Sequence, residues 1–421
     1  AAGMISEYPI FSGSFINSES GVINATASAN ATGFAKAVGM AVVDNVYDAG
    51  VIENKGVINV TATGEGESVM AIGMEIGQLG AADFSYVSGD GDNIVFDLVT
   101  FEAGMVINSG TITATANGAN AEAYSLYINN DIEDFDGVEI VGEVINSGEL
   151  NGDVKLGGIV SLTNSGKFTG GGSIGGDYTV TASGTHNFRI ASVSDYDQLV
   201  VGGTATFADG AIVGVNVDTD LVEYVTGGTT YDNVISAGIL SVAGSLGGDT
   251  GSIIWEAGAV DDGLNGIDVT VGLVEEANIA IGDVINEGSQ FALRVPDTGG
   301  AAPLTINNAG TIDGAVSLGD SVLNLQGNSS LVNGDVIGVA GSIVNVDGTF
   351  ASAGAFSVGG FNINSGGDFT QGHTITSAVR NDGTLNIAAG TKATIVGSYT
   401  QGNDGVLSIG VNSASDYGQL D

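Results

Sequence analysis

The stretch Ile107-Asn108-Ser109-Gly110-Thr111-Ile112 contains the phrase that decides the fold of this chain. An aliphatic residue is followed by Asn, a small residue and Gly, and then by alternating apolar and polar residues. The other clear copies are Ile145-Asn146-Ser147-Gly148-Glu149-Leu150, Leu162-Thr163-Asn164-Ser165-Gly166-Lys167-Phe168, Ile306-Asn307-Asn308-Ala309-Gly310-Thr311-Ile312 and Ile363-Asn364-Ser365-Gly366. Alternation and β-branched residues favour strands, and Asn and Gly tolerate the left-handed backbone of tight turns. The phrase therefore predicts strands that end in corners.

The spacing of the copies indicates how these strands are arranged. Gly148 and Gly166 are 18 residues apart, and Gly288 and Gly310 are 22 apart. A period near twenty fits one coil of a strand-based solenoid, whereas helical repeats need ~33 or more residues. In such a coil the strands stack in ~4.8 Å steps, so that aliphatic side chains form a core and each recurring Asn can hydrogen-bond to the next. We therefore predict an all-β fold, a parallel β-helix (β-solenoid).

The composition excludes several classes of function. The 421 residues include 49 Asp or Glu and 8 Lys or Arg, so the formal charge is −41, and there is no Cys. A chain this acidic repels nucleic acid and anionic membrane surfaces, and we predict neither as a partner. The lack of Cys excludes disulfides and thiolate metal sites. No apolar run reaches the ~18 residues of a spanning helix, so no membrane-spanning segment is predicted.

A second, longer repeat predicts the domain plan. Tyr178 and Tyr196 recur as Tyr399 and Tyr417, each 221 residues later. The second copy stops inside a strand that continues in the first, and we expect the natural polypeptide to extend further. The predicted division is a β-solenoid module over 1–183, a less regular or sandwich-like all-β segment over 184–275, and a second, C-terminally truncated β-solenoid module over 276–421.

The second copy of this repeat contains Tyr399-Thr400-Gln401, Gly405-Val406-Leu407-Ser408-Ile409 and Ser415-Asp416-Tyr417-Gly418-Gln419-Leu420. The series resembles the passenger regions of bacterial autotransporters. The resemblance implies that the β-helix is right-handed, exported and displayed at the outer cell surface of a Gram-negative bacterium. Because the series occurs twice here, an S-layer protein or filament subunit built from the same repeats is the alternative. The small residues Ala1-Ala2-Gly3 also predict a mature, exported chain.

Catalytic motifs are sparse in this sequence. His186 and His373 stand in polar turn contexts, and we predict solvated turn side chains rather than a base or a ligand. Trp255 is alone among apolar neighbours, which predicts a core or cap residue rather than a sugar platform. We therefore predict that the protein is not an enzyme. The alternative is a glycan-active β-helix hydrolase or lyase with paired carboxylates, because acidic residues are plentiful.

Two acidic stretches predict calcium as the one candidate cofactor. Hard oxygen ligands on a tight turn are what Ca²⁺ prefers, and crowded carboxylates repel one another without a cation. A solvated acidic loop that keeps the protein soluble is the competing interpretation. The candidate ligands are Asp131, Glu133, Asp134 and Asp136 in the first stretch, and Asp90 and Asp92 in the second.

These features together predict a non-enzymatic extracellular surface protein that acts by self-assembly or adhesion. A stack of rungs leaves an open strand edge at each end, and pairing with another copy satisfies it. The expected partners are therefore copies of the same chain, in a filament or lattice, or cell-surface and matrix ligands.

Overall fold

The structure is a computed structural model that describes most of the chain. The residues left out of the description are 9, 31–32, 66–67, 80–81, 88–94, 101–103, 119, 130–140, 193, 218–228, 245, 249, 251, 288–289, 299–302, 328–330 and 352. Across the remaining residues every regular element is a β-strand and none is a helix, which confirms the predicted all-β fold. In the same residues, no helix has the length and apolarity that crossing a membrane requires.

A first group of strands lies between residues 2 and 273. Its members are β1 (Ala2–Ser6), β2 (Ile10–Asn17), β3 (Val22–Ala29), β4 (Phe34–Asn54), β5 (Val57–Gly64), β6 (Ser68–Leu79), β7 (Ala82–Val87), β8 (Val95–Thr100), β9 (Met105–Asn108), β10 (Thr111–Asn117), β11 (Ala121–Ile128), β12 (Val141–Asn146), β13 (Glu149–Asn151), β14 (Asp153–Leu156), β15 (Ile159–Asn164), β16 (Lys167–Thr169), β17 (Gly172–Ile174), β18 (Tyr178–Val180), β19 (Thr185–Ser192), β20 (Asp195–Tyr196), β21 (Leu199–Phe207), β22 (Ile212–Val217), β23 (Thr229–Val242), β24 (Trp255–Asp261) and β25 (Gly266–Leu273).

A second group of shorter strands lies between residues 276 and 420. Its members are β26 (Glu276–Ile279), β27 (Val284–Ile285), β28 (Leu293–Arg294), β29 (Thr305–Asn308), β30 (Thr311–Ile312), β31 (Val316–Ser317), β32 (Val322–Leu325), β33 (Leu331–Val332), β34 (Val336–Ile337), β35 (Ile343–Val346), β36 (Thr349–Ala351), β37 (Phe356–Ile363), β38 (Asp368–Thr370), β39 (Thr374–Asn381), β40 (Thr384–Ile387), β41 (Lys392–Val396), β42 (Tyr399–Gln401), β43 (Val406–Ile409), β44 (Val411–Ser413), β45 (Asp416–Tyr417) and β46 (Gln419–Leu420).

Parallel pairing joins the first group into two large sheets. Sheet 1 has 15 described strands, among them β4, β6, β9, β11, β12, β15, β18 and β21, and sheet 2 has 8, among them β3, β5, β10, β13, β16 and β19. Copies of the sequence phrase lie directly opposite one another, since Asn108 pairs with Asn146 and Asn146 with Asn164. Antiparallel pairs in this group are β7–β8, β19–β20, β23–β25 and β24–β25. Successive copies of the phrase therefore form successive rungs.

The second group is also organised by parallel pairing. Sheet 3 has 12 described strands, among them β26, β29, β32, β35, β37 and β39. Sheet 4 contains β36, β38, β40 and β43, and sheet 5 contains β27, β30 and β33. Only the short hairpin β44–β45 is antiparallel among the described pairs of this group.

One continuous apolar core fills the space between the sheets. It is built from columns in which an inward side chain lies above its counterpart one rung below, as in Ile52, Val106, Val144 and Leu162. The same core reaches from the first group into the second without interruption. Burial of aliphatic side chains stabilises such a stack by roughly 25 cal/mol per Å² of apolar surface. Parallel rungs around one core are consistent with the predicted β-solenoid.

The glycine of the phrase acts through its small size rather than through its backbone angle. A Cβ added to Gly110, Gly148 or Gly166 would stand 2.0–2.2 Å from the carbonyl oxygen of the glycine one rung away. None of these three glycines has a positive φ, although Gly366, in the last clear copy, has a φ of +89°. The prediction that the glycine of the phrase adopts a left-handed backbone conformation was therefore wrong for these three copies in the first group. The backbones of neighbouring rungs approach too closely there for any side chain to fit.

The 221-residue sequence repeat is also a structural repeat. The hairpin β19–β20 places Ile190 opposite Tyr196, and the hairpin β44–β45 places Val411 opposite Tyr417 at the same offset. Strands pair across residue 184, since β16 pairs with β19 and β18 with β21. The division at residues 183 and 275 stays a prediction.

Candidate functional site

The predicted calcium ligands lie outside the described residues. This holds for all six of them, Asp90, Asp92, Asp131, Glu133, Asp134 and Asp136. In the part of the chain that the structure describes, no group of three or more His, Cys, Asp or Glu side chains is placed to hold a metal ion. Calcium binding by the two acidic stretches therefore stays a prediction.

A column of buried asparagines, here called the inner ladder, runs through the first group. Its members are Asn17, Asn54, Asn108, Asn146 and Asn164. The Nδ2 atom of each of the first four donates a hydrogen bond of 2.8 Å to Oδ1 of the next. All five are at most 5% exposed. The predicted stacking of the recurring Asn is thus confirmed for this group.

The inner ladder also satisfies the backbone at each corner. Asn146 Nδ2 donates a second hydrogen bond to the carbonyl oxygen of Lys167 at 3.1 Å. The carbonyl oxygen of Asn146 accepts from the backbone N–H groups of Ser165 and Gly166, at 2.8 and 3.2 Å. A buried amide is costly unless its polar atoms are paired, and here both the side chain and the corner are paired. The arrangement explains why Asn, a small residue and Gly recur together.

Two buried aromatic side chains continue the inner ladder beyond Asn164. Asn164 Nδ2 donates to the carbonyl oxygen of Thr185 at 3.0 Å, and the Asn164 amide lies close enough to the Tyr178 hydroxyl to lower its pKa slightly against the larger effect of burial. That hydroxyl lies 3.1 Å from Nδ1 of His186, whose Nε2 lies 2.9 Å from the carbonyl oxygen of Gly170. A carbonyl oxygen only accepts, so Nε2 carries the proton and Nδ1 accepts from Tyr178. The hydrogen bonds from Tyr178 to His186 and from His186 to Gly170 therefore point in one direction, which strengthens both of them.

The prediction of a solvated turn was wrong for His186. The side chain is fully buried in a column of sheet 2 that is otherwise apolar, and it stacks between Phe168 and Phe188 at centroid distances of 4.4 and 4.2 Å. Burial lowers the pKa of His186 to about 3, so the ring is neutral. The signal that could have found it is the alternation of His186, Phe188 and Ile190 on one face of a strand. His373 is exposed, as expected, and the predicted core position of Trp255 is confirmed at 3% exposure.

A concave surface, here called the outer groove, lies on the side of sheet 1 that faces away from the core. Its volume is about 420 Å³. The strands that form it are β4, β6 and β11, which are neighbours in the sheet. The residues that matter for its chemistry are Lys36, Ala41, Val43, Glu75, Tyr127 and Asn129.

The outer groove forms because the alternation of inward-facing and outward-facing side chains along β4 shifts by one residue at a glycine. Ala37 and Met40 both face the core, whereas Val38 and Ala41 both belong to a second, separate apolar cluster outside it. Gly39 lies between them, and a Cβ there would stand 2.6 Å from the carbonyl oxygen of Gly73 in β6. The shift turns small apolar side chains outward and leaves room above them.

Aromatic and charged side chains surround this second apolar cluster. Tyr124 and Tyr127 pack edge to face, with centroids 5.4 Å apart. Lys155 Nζ lies 5.1 Å above the ring of Tyr127. Burial, followed by the neighbouring Glu122 carboxylate, raises the pKa of Tyr124 to about 12. Lys36 Nζ contacts Oε1 of Glu75 at 2.6 Å. No local motif predicts this site, because its residues come from strands that are far apart in sequence.

The terminal strands carry exposed apolar residues. Val406, Leu407 and Ile409 of β43 are 49%, 37% and 39% exposed. β43 pairs with β40 on one side, and no described strand pairs with it on the other. The corresponding strand of the first repeat copy, β19, pairs on both sides, with β16 and with β22.

Comparison with known proteins gives no match to a protein family, to a curated protein or to a solved structure. The candidate sites are therefore those that the geometry of this chain displays, namely the terminal strand edges and the outer groove.

Proposed function

We propose that this protein is a non-enzymatic extracellular surface protein whose stacked rungs associate with further copies of the same chain. In this proposal the rungs form a right-handed parallel β-helix at the outer surface of a Gram-negative bacterium. The protein resembles an autotransporter passenger, and a subunit of an S-layer or filament is the related alternative. The parallel stacking, the single core and the inner ladder support the architecture that the proposal needs.

The observation that carries the proposal is the lack of charge on the strands at both ends of the described stack. β42 and β43 at one end, and β2 and β3 at the other, each pair with a single described strand. None of these four strands contains a charged residue, although the whole chain carries 49 acidic ones. Proteins that remain single usually protect exposed edges with charges or prolines. Uncharged edges favour pairing with a further rung, and for these 421 residues alone that rung comes from another copy.

The two ends also have matching corner lengths. In the first repeat copy, Tyr178 lies opposite Ala205 and Thr185 lies opposite Ile212, so that two corners of equal length stack in register. Corners of that length also span 399–406 at one end and 15–22 at the other. A second copy of these 421 residues can therefore add its β2 and β3 to β42 and β43 of this one.

The amide column supports the same register. Asn381 lies opposite Gln401, the last amide of its column. In a head-to-tail contact Gln401 of one copy faces Asn17 of the next, which begins the inner ladder. The column of amides then continues from one copy into the other.

The proposal is tested by measuring the mass of the 421-residue chain by light scattering across protein and salt concentrations. We expect mass to rise with both, because salt screens the repulsion between chains of charge −41. Leu407→Lys places a charge in β43, which pairs with one described strand, and is expected to give a monomer of this 421-residue chain. Val200→Lys is the matched control, since Val200 is exposed but lies in a strand paired on both sides. A wild-type monomer under all conditions, or equal effects of both variants, would refute self-association.

Two alternative functions predict different experimental results. A monomeric adhesin would hold cells on a coated surface without forming assemblies. A glycan-active enzyme would release reducing sugar, and one Asp or Glu substitution would abolish that release.

A further inference from the structure

We propose that the outer groove is a binding site for a neutral saccharide. This activity is separate from self-association, because the groove lies on the outward face of sheet 1 and not at the terminal strand edges. It would give an assembled surface protein a means of holding glycans.

The shape of the outer groove suits a small polar ligand with apolar patches. Its volume of about 420 Å³ falls within the range of small-molecule sites, roughly 300–1,000 Å³. Ala41 forms part of its floor, and Val43, which is 65% exposed, forms part of its rim. Such sites combine apolar surface with a few well-placed polar groups, and this groove has both.

Tyr127 provides a rigid aromatic surface at the edge of the groove. Lys155 and Glu75 are its neighbours in register on the two sides, and Lys155 covers one side of the ring. Tyr124 packs against Tyr127 edge to face and fixes its orientation. A tyrosine held in this way presents apolar area at a low entropic cost, and the apolar C–H face of a pyranose ring can pack on it.

The polar groups match the hydroxyls of a sugar. The carboxylate of Glu75 only accepts hydrogen bonds, whereas the ammonium of Lys36 only donates. A hydroxyl does both, so that a pair of adjacent sugar hydroxyls can bridge the two groups. The amide of Asn129 adds another donor and acceptor at the rim. The ion pair is partly exposed, at 48% for Lys36 and 28% for Glu75, and a pair of this kind contributes little to stability. A ligand can therefore rearrange it at small cost.

The charges of the groove favour a neutral saccharide over a charged one. Lys36 and Glu75 neutralise each other, and the ammonium of Lys155, the other cation beside the groove, is directed at the ring and hydroxyl of Tyr127. The chain as a whole has a charge of −41, which repels acidic glycans. A cationic ligand would have to displace Lys36 from Glu75.

The test uses the full chain and the neutral disaccharides maltose, cellobiose, lactose and N,N′-diacetylchitobiose, with binding detected by saturation-transfer NMR and quantified by calorimetry. We expect at least one of them to bind. Tyr127→Ala should weaken the affinity for that disaccharide on the order of tenfold or more. Glu75→Gln should weaken the affinity less, and Tyr127→Phe should retain most of it. Tyr417→Ala is the matched control, because Tyr417 is exposed and lies at the terminal hairpin.

Two results would overturn the proposal. One is the absence of binding for every disaccharide in the panel. The other is binding that Tyr127→Ala and Glu75→Gln leave unchanged, or that is weaker than the binding of digalacturonate, an acidic disaccharide. The variant Leu407→Lys separates this proposal from self-association, since it should abolish assembly and leave saccharide binding intact.

Discussion

The two groups of strands use stacked asparagines in opposite ways. In the first group the inner ladder is buried in the core, where every amide is paired. In the second group a different column, here called the outer ladder, lies on the solvent-accessible face of sheet 3, with Nδ2···Oδ1 distances of 2.8–3.1 Å. Its members are Asn278, Asn307, Asn324, Asn345 and Asn362. Water can replace a lost hydrogen bond at the surface but not in the core.

In the second group aliphatic residues separate the amides of the corresponding core column. The described order is Ile279, Asn308, Leu325, Val346, Ile363, Asn381 and Gln401. Asn308, the phrase asparagine of this group, lies opposite Ile279 and Leu325 rather than opposite another Asn. The predicted stacking of the phrase asparagine is therefore wrong for Asn308. Asn364 also leaves the core, and its Nδ2 donates to Asp347 Oδ1 at 2.7 Å. An identical local phrase thus has different structural roles, depending on what its neighbouring rungs contribute.

The largest effect is expected where the inner ladder ends, at His186. In the unfolded chain this side chain binds a proton below its ordinary pKa of 6.5, whereas in the folded chain burial lowers the pKa to about 3. The unfolded state therefore binds the proton first as the pH falls. The contribution of neutral His186 to the free energy of unfolding is fully present above pH 6.5. It is lost as the pH falls towards 3, and the loss is on the order of 5 kcal/mol. Tyr178, the titratable group in contact with it, stays neutral because burial raises its pKa.

Urea unfolding at pH 7, 5 and 4 measures this loss. Falling pH also neutralises carboxylates and reduces the repulsion within the chain, so the informative quantity is the difference between variants. His186→Leu should be less stable than wild type at pH 7 but should lose less stability on acidification. His373→Gln, at an exposed position, should follow the wild-type profile. Parallel profiles for wild type and His186→Leu would contradict a buried neutral imidazole.

The second largest effect is expected for Asn108→Ala, inside the inner ladder. The substitution removes the acceptor of Asn54 Nδ2 and the donor to Asn146 Oδ1, and it leaves both atoms buried. Each unsatisfied buried group costs roughly 1–3 kcal/mol, so we expect a loss of about 3 kcal/mol in the free energy of unfolding. The double variant with Asn146→Ala should lose clearly less than the sum of the two single losses, because the two residues share a hydrogen bond. Additive losses would indicate that the ladder is not a coupled network.

The sequence predicts the parts of this fold that depend on local chemistry. The strand-and-corner phrase and its period were sufficient to predict stacked rungs and the buried column of Asn108, Asn146 and Asn164, because each copy carries the same corner. The burial of His186 was missed, since a polar residue in an alternating strand has the same local pattern whether its face is inside or outside. The outer groove was missed as well, because Lys36, Glu75 and Tyr127 meet only through the register of separate rungs.

The smallest effect is expected for Asn324→Ala, in the outer ladder. Asn324 donates to Asn307 Oδ1 at 2.8 Å and accepts from Asn345 Nδ2 at 2.9 Å, but its side chain is only half-buried. Water can reach the groups left behind, and Gln326 Nε2 already donates to Asn307 Oδ1 at 3.1 Å. The free energy of unfolding should therefore fall by less than about 1 kcal/mol, measured by the same urea unfolding as for Asn108→Ala. A loss equal to that of Asn108→Ala would mean that the hydrogen bonds along a column, and not their burial, stabilise the stacked rungs.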